Sequence, residues 1–237
     1  MPKSPAGTPT VQAQRPGRHD DAHRLSGPRF GLAGARTIRV MPQTWVTPVT
    51  LTGQRIRMEP LAERHLDDLA RVAADDRVFR WITGLPMDDA ALRTWFDTAR
   101  SNAEAATEVP FATIDLASGR AVGSSRFMTI APEHQRLEIG WTWLGSDYQR
   151  TGMNREAKLL QLTHAFEALG ARRVEFKTHA RNVPSRTALL GIGATFEGVL
   201  RHHTILANGS DRDSAFYGVL LEDWPAVKAR LRDGLAR

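Results

Sequence analysis

The residues best suited to chemistry lie where a strand-like stretch ends at Leu144 and a helical one opens after Gln149. Gln149-Arg150-Thr151-Gly152-Met153-Asn154-Arg155 joins the two. A strand, a short glycine-containing loop and a helix N-terminus make an anion site. The first amides of a helix have no intrahelical partner, and its dipole favours negative charge there. Gly152 permits close approach of a phosphate to the backbone, and Arg150 and Arg155 add mobile positive charge. An ordinary helix start with solvated arginines reads the same way. One glycine matches neither a Walker loop nor the three-glycine dinucleotide fingerprint.

Three other groups could move protons or hold a ligand. In 136–144, the two-residue period of a strand sends Leu137, Ile139, Trp141 and Trp143 to one face and Glu138, Gly140, Thr142 and Leu144 to the other. Glu138 thus opposes the apolar row in the strand leading to the anion loop. It is either a proton acceptor or a structural carboxylate neutralised by an arginine. Asn182 precedes a short helical stretch containing Ser185 and has the side chain of an N-cap. His202 and His203 are adjacent in a strand, so alternation sends only one to the site face; a histidine there suits a base near neutrality, or is an ordinary surface residue. Trp81, Trp95 and Phe96 either line an acceptor pocket or belong to the core.

The elements that must position these groups begin near residue 45. Arg55–Pro60 alternates as a strand, Leu61–Ala74 reads as a helix, and Asp88-Asp89 opens a second helix with acid where the macrodipole favours it. Strands over 111–116, 121–130 and 136–144 follow. Leu159, Leu162, Phe166 and Leu169 then form a helical stripe that stops at Gly170. Arg173–Thr178 is a strand, and a helix from Asn182 tolerates Pro184 in its first turn and ends near Gly191. Two strands flank the Asn208-Gly209 turn, and Pro225 starts a terminal helix. The order predicts an α+β fold, a mixed, mostly antiparallel sheet of about seven strands flanked by helices. No internal repeat is visible.

Composition narrows the function. The 237 residues are 41% hydrophobic and 24% charged, ordinary for a globular enzyme. Cysteine is absent, which removes disulfides, zinc–thiolate sites and cysteine nucleophiles. No apolar run nears the roughly 18 residues that cross a bilayer, so no membrane role is expected. Of the net charge of +6, residues 1–40 hold seven basic groups against Asp20 and Asp21, leaving about +1 for the rest. The basic signal therefore belongs to a Pro-, Gly- and Arg-rich extension over 1–44, expected to be disordered and dispensable, with Met41 as an alternative start. Nucleic-acid binding by the folded part, 45–237, is not expected.

At Gln149 and Gly152 the chain resembles the GNAT acyltransferases, whose loop reads Gln/Arg-x-x-Gly-x-Gly/Ala and cradles the pyrophosphate of coenzyme A; Asn154 stands where the family has a small residue. The wider resemblance, to the RimJ/RimL-type branch with its ribosomal-protein N-acetyltransferases, covers roughly residues 48–232. Its marks are Glu138-Ile139-Gly140-Trp141, Ala165-Phe166-Glu167, Asn182-Val183-Pro184-Ser185, Phe196–Arg201, Gly209 with Arg212-Asp213, and Glu222-Asp223-Trp224. The resemblance implies the GNAT fold, acetyl-CoA as donor, a primary amine as acceptor, direct transfer without a metal, a cytoplasmic location and a homodimer. It implies backbone contacts from Trp143 and Leu144 to pantetheine, the loop Gln149 to Arg155 on the phosphates, and Asn182 on pantetheine. Glu138 becomes the expected base, with His203 as the alternative, and Ser185 the expected acid near the sulfur. The tyrosine acid of many members is missing, since Ala188, Leu189 and Leu190 fill that register. A non-catalytic acyl-CoA-binding protein of the same fold is the competing expectation.

Overall fold

The computed structural model describes residues 45–85 and 87–236; the expectations for the extension over 1–44 lie outside them. The chain forms β1 (Leu51–Thr52), β2 (Ile56–Pro60), α1 (Leu66–Ala73), α2 (Asp76–Phe79), α3 (Asp89–Glu104), β3 (Val109–Asp115), β4 (Ala121–Ala131), β5 (Arg136–Leu144), α4 (Met153–Thr163), β6 (Arg173–His179), α5 (Val183–Ile192), β7 (Thr195–Ile205), β8 (Asp211–Leu220) and α6 (Trp224–Ala236). The seven expected strands are joined by a two-residue eighth, β1, which pairs with β2 across a tight turn. Sheet order is β1-β2-β3-β4-β5-β6-β8-β7, and every pairing is antiparallel except β5 with β6. The α+β, mostly antiparallel expectation holds.

Local signals explain the boundaries. Asp88 caps α3 by accepting from Ala91 N at 2.8 Å. Gly170 follows the turn that ends the α4 segment with φ +68°, as expected of a glycine at that place. α5 passes through Gly191, near its end as expected, and stops one residue later, before Gly193 at φ +98°. The predicted helix from Leu61 likewise starts later, after a 3₁₀ turn over Glu63–His65.

Strand alternation divides the core between two faces. Met58, Phe111, Phe127, Leu137 and Val174 pack with Leu162 of α4 and Leu231 of α6. Ala112, Ile114 and Trp143 pack with Leu69 of α1 and Leu92, Trp95 and Phe96 of α3. The simple alternation expected for β5 fails part-way along the strand. Pairing steps from Arg126↔Gly140 to Ser124↔Trp143, so Trp141 and Thr142 together oppose Ser125. This bulge sets Trp141 at φ +48° and reverses the strand's phase. Leu137 and Ile139 face α4, whereas Trp141 and Trp143 face α1 and α3. Thr142 turns to α4, where it accepts from Lys158 Nζ at 2.7 Å.

Candidate active site

The sole parallel pairing among the described residues is short. β5 and β6 are bonded only through Arg136–Glu138 and Arg173–Glu175. Beyond that, β5 runs on to Leu144 beside β4, and β6 runs on to His179 beside β8, without meeting each other. The strands part like a wedge and leave backbone groups of 139–144 facing the gap. Both carboxyl ends lead to helix N-termini, α4 after β5 and α5 after β6. A crevice outside the carboxyl ends of parallel strands is where open α/β sheets bind ligands.

The loop entering α4 is braced from within. Gln149 Nε2 donates to the Leu144 carbonyl at 3.0 Å, and Thr151 Oγ1 donates to the Tyr148 carbonyl at 2.7 Å. Gly152 takes φ +90° at the helix start, a left-handed conformation that suits glycine, and Arg150 takes φ +61°. No side chain caps this helix, so its first amides stay available. Arg155 is not a mobile charge: its Nη1 donates to the Gly234 carbonyl in α6. A guanidinium from outside the loop, that of Arg55, also reaches it, and sequence reasoning missed it. Its Nη1 donates to the Thr151 carbonyl at 2.7 Å and would lie 3.0 Å from a Cβ at Gly152. Glu156 holds that arginine's turn in place by accepting from the amides of Gln54, Arg55 and Ile56 at 2.6–3.2 Å. Met153 packs on the core behind the loop, and Asn154 Oδ1 is buried without a partner among the described residues. An uncapped amide cluster, a left-handed glycine, one arginine beside it and an unpaired strand edge fit a phosphate-bearing, amide-containing thioester such as acetyl-CoA.

Across the wedge, Asn182 Oδ1 caps α5 by accepting from Ser185 N at 3.2 Å, and the Ser185 side chain is partly exposed. Trp143 packs its ring against Phe79 and Trp95 on the α1–α3 side, leaving its backbone on the strand.

Glu138 is 4% exposed. Its Oε2 accepts from Thr129 Oγ1 at 3.1 Å and faces Lys177 Nζ at 3.1 Å. The ion-pair partner is a lysine from β6, and the charge of Arg212 on β8 also bears on Glu138. His179, two residues beyond Lys177 and on the same face, was also missed. Its buried ring accepts from Arg181 N at 3.1 Å through Nδ1 and stands edge-on to Trp81. Burial first, and then the charges of Arg181 and Arg212, hold its pKa below the ordinary histidine value, so it is neutral at pH 7. His203 reaches the same neighbourhood: Nδ1 lies 3.1 Å from Ser214 Oγ, and Ser214 pairs with His179. His202 is exposed at φ +49° and faces Asp211 at 3.0 Å. A bulge between Leu200 and Thr204, rather than plain alternation, separates the two rings. Phe96 is core, Trp95 belongs to the core and also lines open space, and Trp81 is half-buried against His179. Among the described residues, no cluster of three His, Asp or Glu side chains could hold a metal ion. None of the described helices is long and apolar enough to cross a membrane.

Residues 55–195 match the family model "Acetyltransferase (GNAT) domain". The chain belongs to the GNAT acetyltransferase family. A GCN5-related N-acetyltransferase from Brucella melitensis is 32% identical, with TM-score 0.73 over 80% of this chain and 89% of that one. A candidate acetyltransferase from T. thermophilus is 38% identical, with the same TM-score over 81% and 99%. Mycobacterium smegmatis RimJ, solved with CoA-disulfide, shares the GNAT fold at 22% identity and TM-score 0.67, over 82% of this chain and 97% of that one. The uncharacterized N-acetyltransferase YoaA of Bacillus subtilis (strain 168) is 30% identical over 99 residues, 42% of this chain. The chain spans about half the length, 55%, of that curated relative.

Proposed function

We propose that this GNAT protein transfers an acetyl group from acetyl-CoA to a primary amine by direct attack on the thioester. The observation that carries the reading is the parting of β5 from β6, with an uncapped helix N-terminus at its mouth. The unpaired edge of β5, including the backbone at Trp143 and Leu144, would bond the pantetheine amides. The loop Gln149 to Arg155 would take the pyrophosphate through its amides, with Arg55 supplying charge beside it. Asn182 would contact pantetheine from the far wall.

In the reaction, the amine nitrogen forms a bond to the thioester carbon, the C–S bond breaks, and the ammonium proton must leave first. Glu138 takes that proton, directly or through water, with His203 as the other group placed to accept it. Ser185 supplies a proton to the departing sulfur, since no tyrosine occupies the α5 register, and regains one as the nitrogen sheds its second proton to become the amide. An α-amine, with a pKa of about 7.7–8.0, is easier to deprotonate than a lysine at about 10.4, so N-terminal or amino-acid amines are the chemically easier acceptors. We assign the reaction to the cytoplasm.

A broad panel of amines and peptides with acetyl-CoA, followed by thiol release and by the mass of the product, tests the reading. Acetylated amine is expected. Tight acetyl-CoA binding with no turnover on any amine would instead support a non-catalytic acyl-CoA-binding protein, the reading favoured by the missing tyrosine.

A further inference from the structure

Arg126 on β4 is 1% exposed and has an unusual set of partners for a buried cation. Its guanidinium lies between two indoles, 5.1 Å from the Trp95 centroid and 4.9 Å from that of Trp141. Nη1 donates to Glu108 at 2.8 Å. Nε and Nη2 have no partner among the described residues. Those two nitrogens form one edge of the planar fork, where two N–H groups point in parallel and match the two oxygens of a carboxylate. Buried donors are almost always satisfied, so a vacant edge on a buried guanidinium calls for an acceptor from outside the chain.

A cavity of about 370 Å³ has Arg126 in its lining, with the Nε–Nη2 edge itself shielded from solvent. Among the described residues, Arg126 and Glu108 are its only charged lining groups. Trp95 and Trp141 line it as well, and Leu85 and Ala207 close it from the loop after α2 and the β7–β8 turn. Asn208 Nδ2 donates to the Gly84 carbonyl at 3.3 Å and ties that loop to that turn. Arg126 stands opposite Gly140, and Met128, the next residue on the same face of β4, stands opposite Glu138. The cavity and the expected base therefore share one face of the sheet.

We propose that this cavity binds the carboxylate of the acyl acceptor on Arg126 Nε and Nη2, making the acceptor an amino-acid-like amine. The inference rests on the acetyl-transfer reading above. Charge limits the ligand class: Glu108 already pairs with one end of Arg126, so a ligand anion must share the guanidinium, and no second cation among the described residues lines the cavity to offset the larger charge of a phosphate dianion. A planar monoanion suits the remaining edge. The volume falls within the range of small-molecule sites.

The test compares L-amino acids with their primary amides and their decarboxylated amines on the intact protein. The amide's amine is the less basic, so the supply of neutral amine favours the amide. The proposal expects kcat/KM for the best amino acid to exceed that of its amide by about 100-fold or more, mainly through KM. Arg126→Gln should erase this ratio by lowering the acid far more than the amide. Should that variant fail to fold, the comparison in the parent protein still decides. A second readout is indole fluorescence, because a ligand on Arg126 changes the surroundings of Trp95 and Trp141. Amines acetylated with no preference for a carboxylate would overturn the proposal and leave the acetyl-transfer reading intact. Carboxylate-selective fluorescence changes without turnover would uphold the site and overturn the reaction.

Discussion

Glu138 combines burial, a hydroxyl donor and a lysine partner inside the sheet. Glu138→Gln should lower turnover by roughly 10²–10⁴, the usual contribution of a positioned base. Acetyl-CoA affinity should hardly change, and the loss should shrink as pH rises because more of the amine is already neutral. Full activity at pH 7 would pass the role to His203 or to water. Lys158 behaves in the opposite way. It is fully buried against Thr142 and Gln161, with no carboxylate partner among the described residues, and burial pushes its pKa from 10.5 down to about 7. Between those values the unfolded chain binds more protons than the folded one, so this residue makes stability rise with pH across that window. Lys158→Met should therefore melt above the parent at pH 7, with the gap narrowing towards pH 10. Equal melting temperatures at both pH values would show that the site charges the amine without cost. Neither Lys158 nor Arg126 was legible in the sequence. A single cation in a helix or strand reads as solvated, and only tertiary contacts reveal what covers it. Glu138 was legible because Leu137 and Ile139 mark its strand face before the bulge begins.

Elements were more legible than the irregularities within them. β5 and the caps at Asp88 and Asn182 follow from alternation and side-chain chemistry that act within a few residues. The bulge at Trp141 does not. It is a property of how β4 and β5 pair, and it places a bulky residue at a positive φ that no local preference favours. The error in phase put Trp141 on the wrong face and hid the cavity it lines. At the start of α4 the local signal was sufficient, since Gly152 takes the left-handed conformation that the loop needs. Gly152→Asp tests that element. Aspartate tolerates this φ better than most residues, so the fold should persist. The added charge should weaken acetyl-CoA binding by about tenfold or more, even with Arg55 beside it. Calorimetry giving equal affinity would remove the anion site from the start of this helix.

The whole chain divides unevenly by charge. Residues 1–40 carry +5 of the net +6 and lack a core-forming period. Deleting them should leave the melting temperature and the acetyl-CoA affinity unchanged; a drop of several degrees would show that the extension packs on the domain. Sheet membership was legible, but the parting of β5 from β6 was not, because it depends on where two strands far apart in sequence stop pairing. That parting makes this fold, without its ligand, a protein with an open strand edge in its middle. Open edges are templates for strand addition by other chains, and proteins ordinarily cover or blunt them. Amides of 139–144 that face the gap should exchange hydrogen quickly in the ligand-free protein and slow sharply when acetyl-CoA is added, while those bonded to β4 stay slow throughout. The donor would then act as a missing strand as well as a reactant, and a cell short of it would hold a pool of this protein that is both idle and prone to self-association.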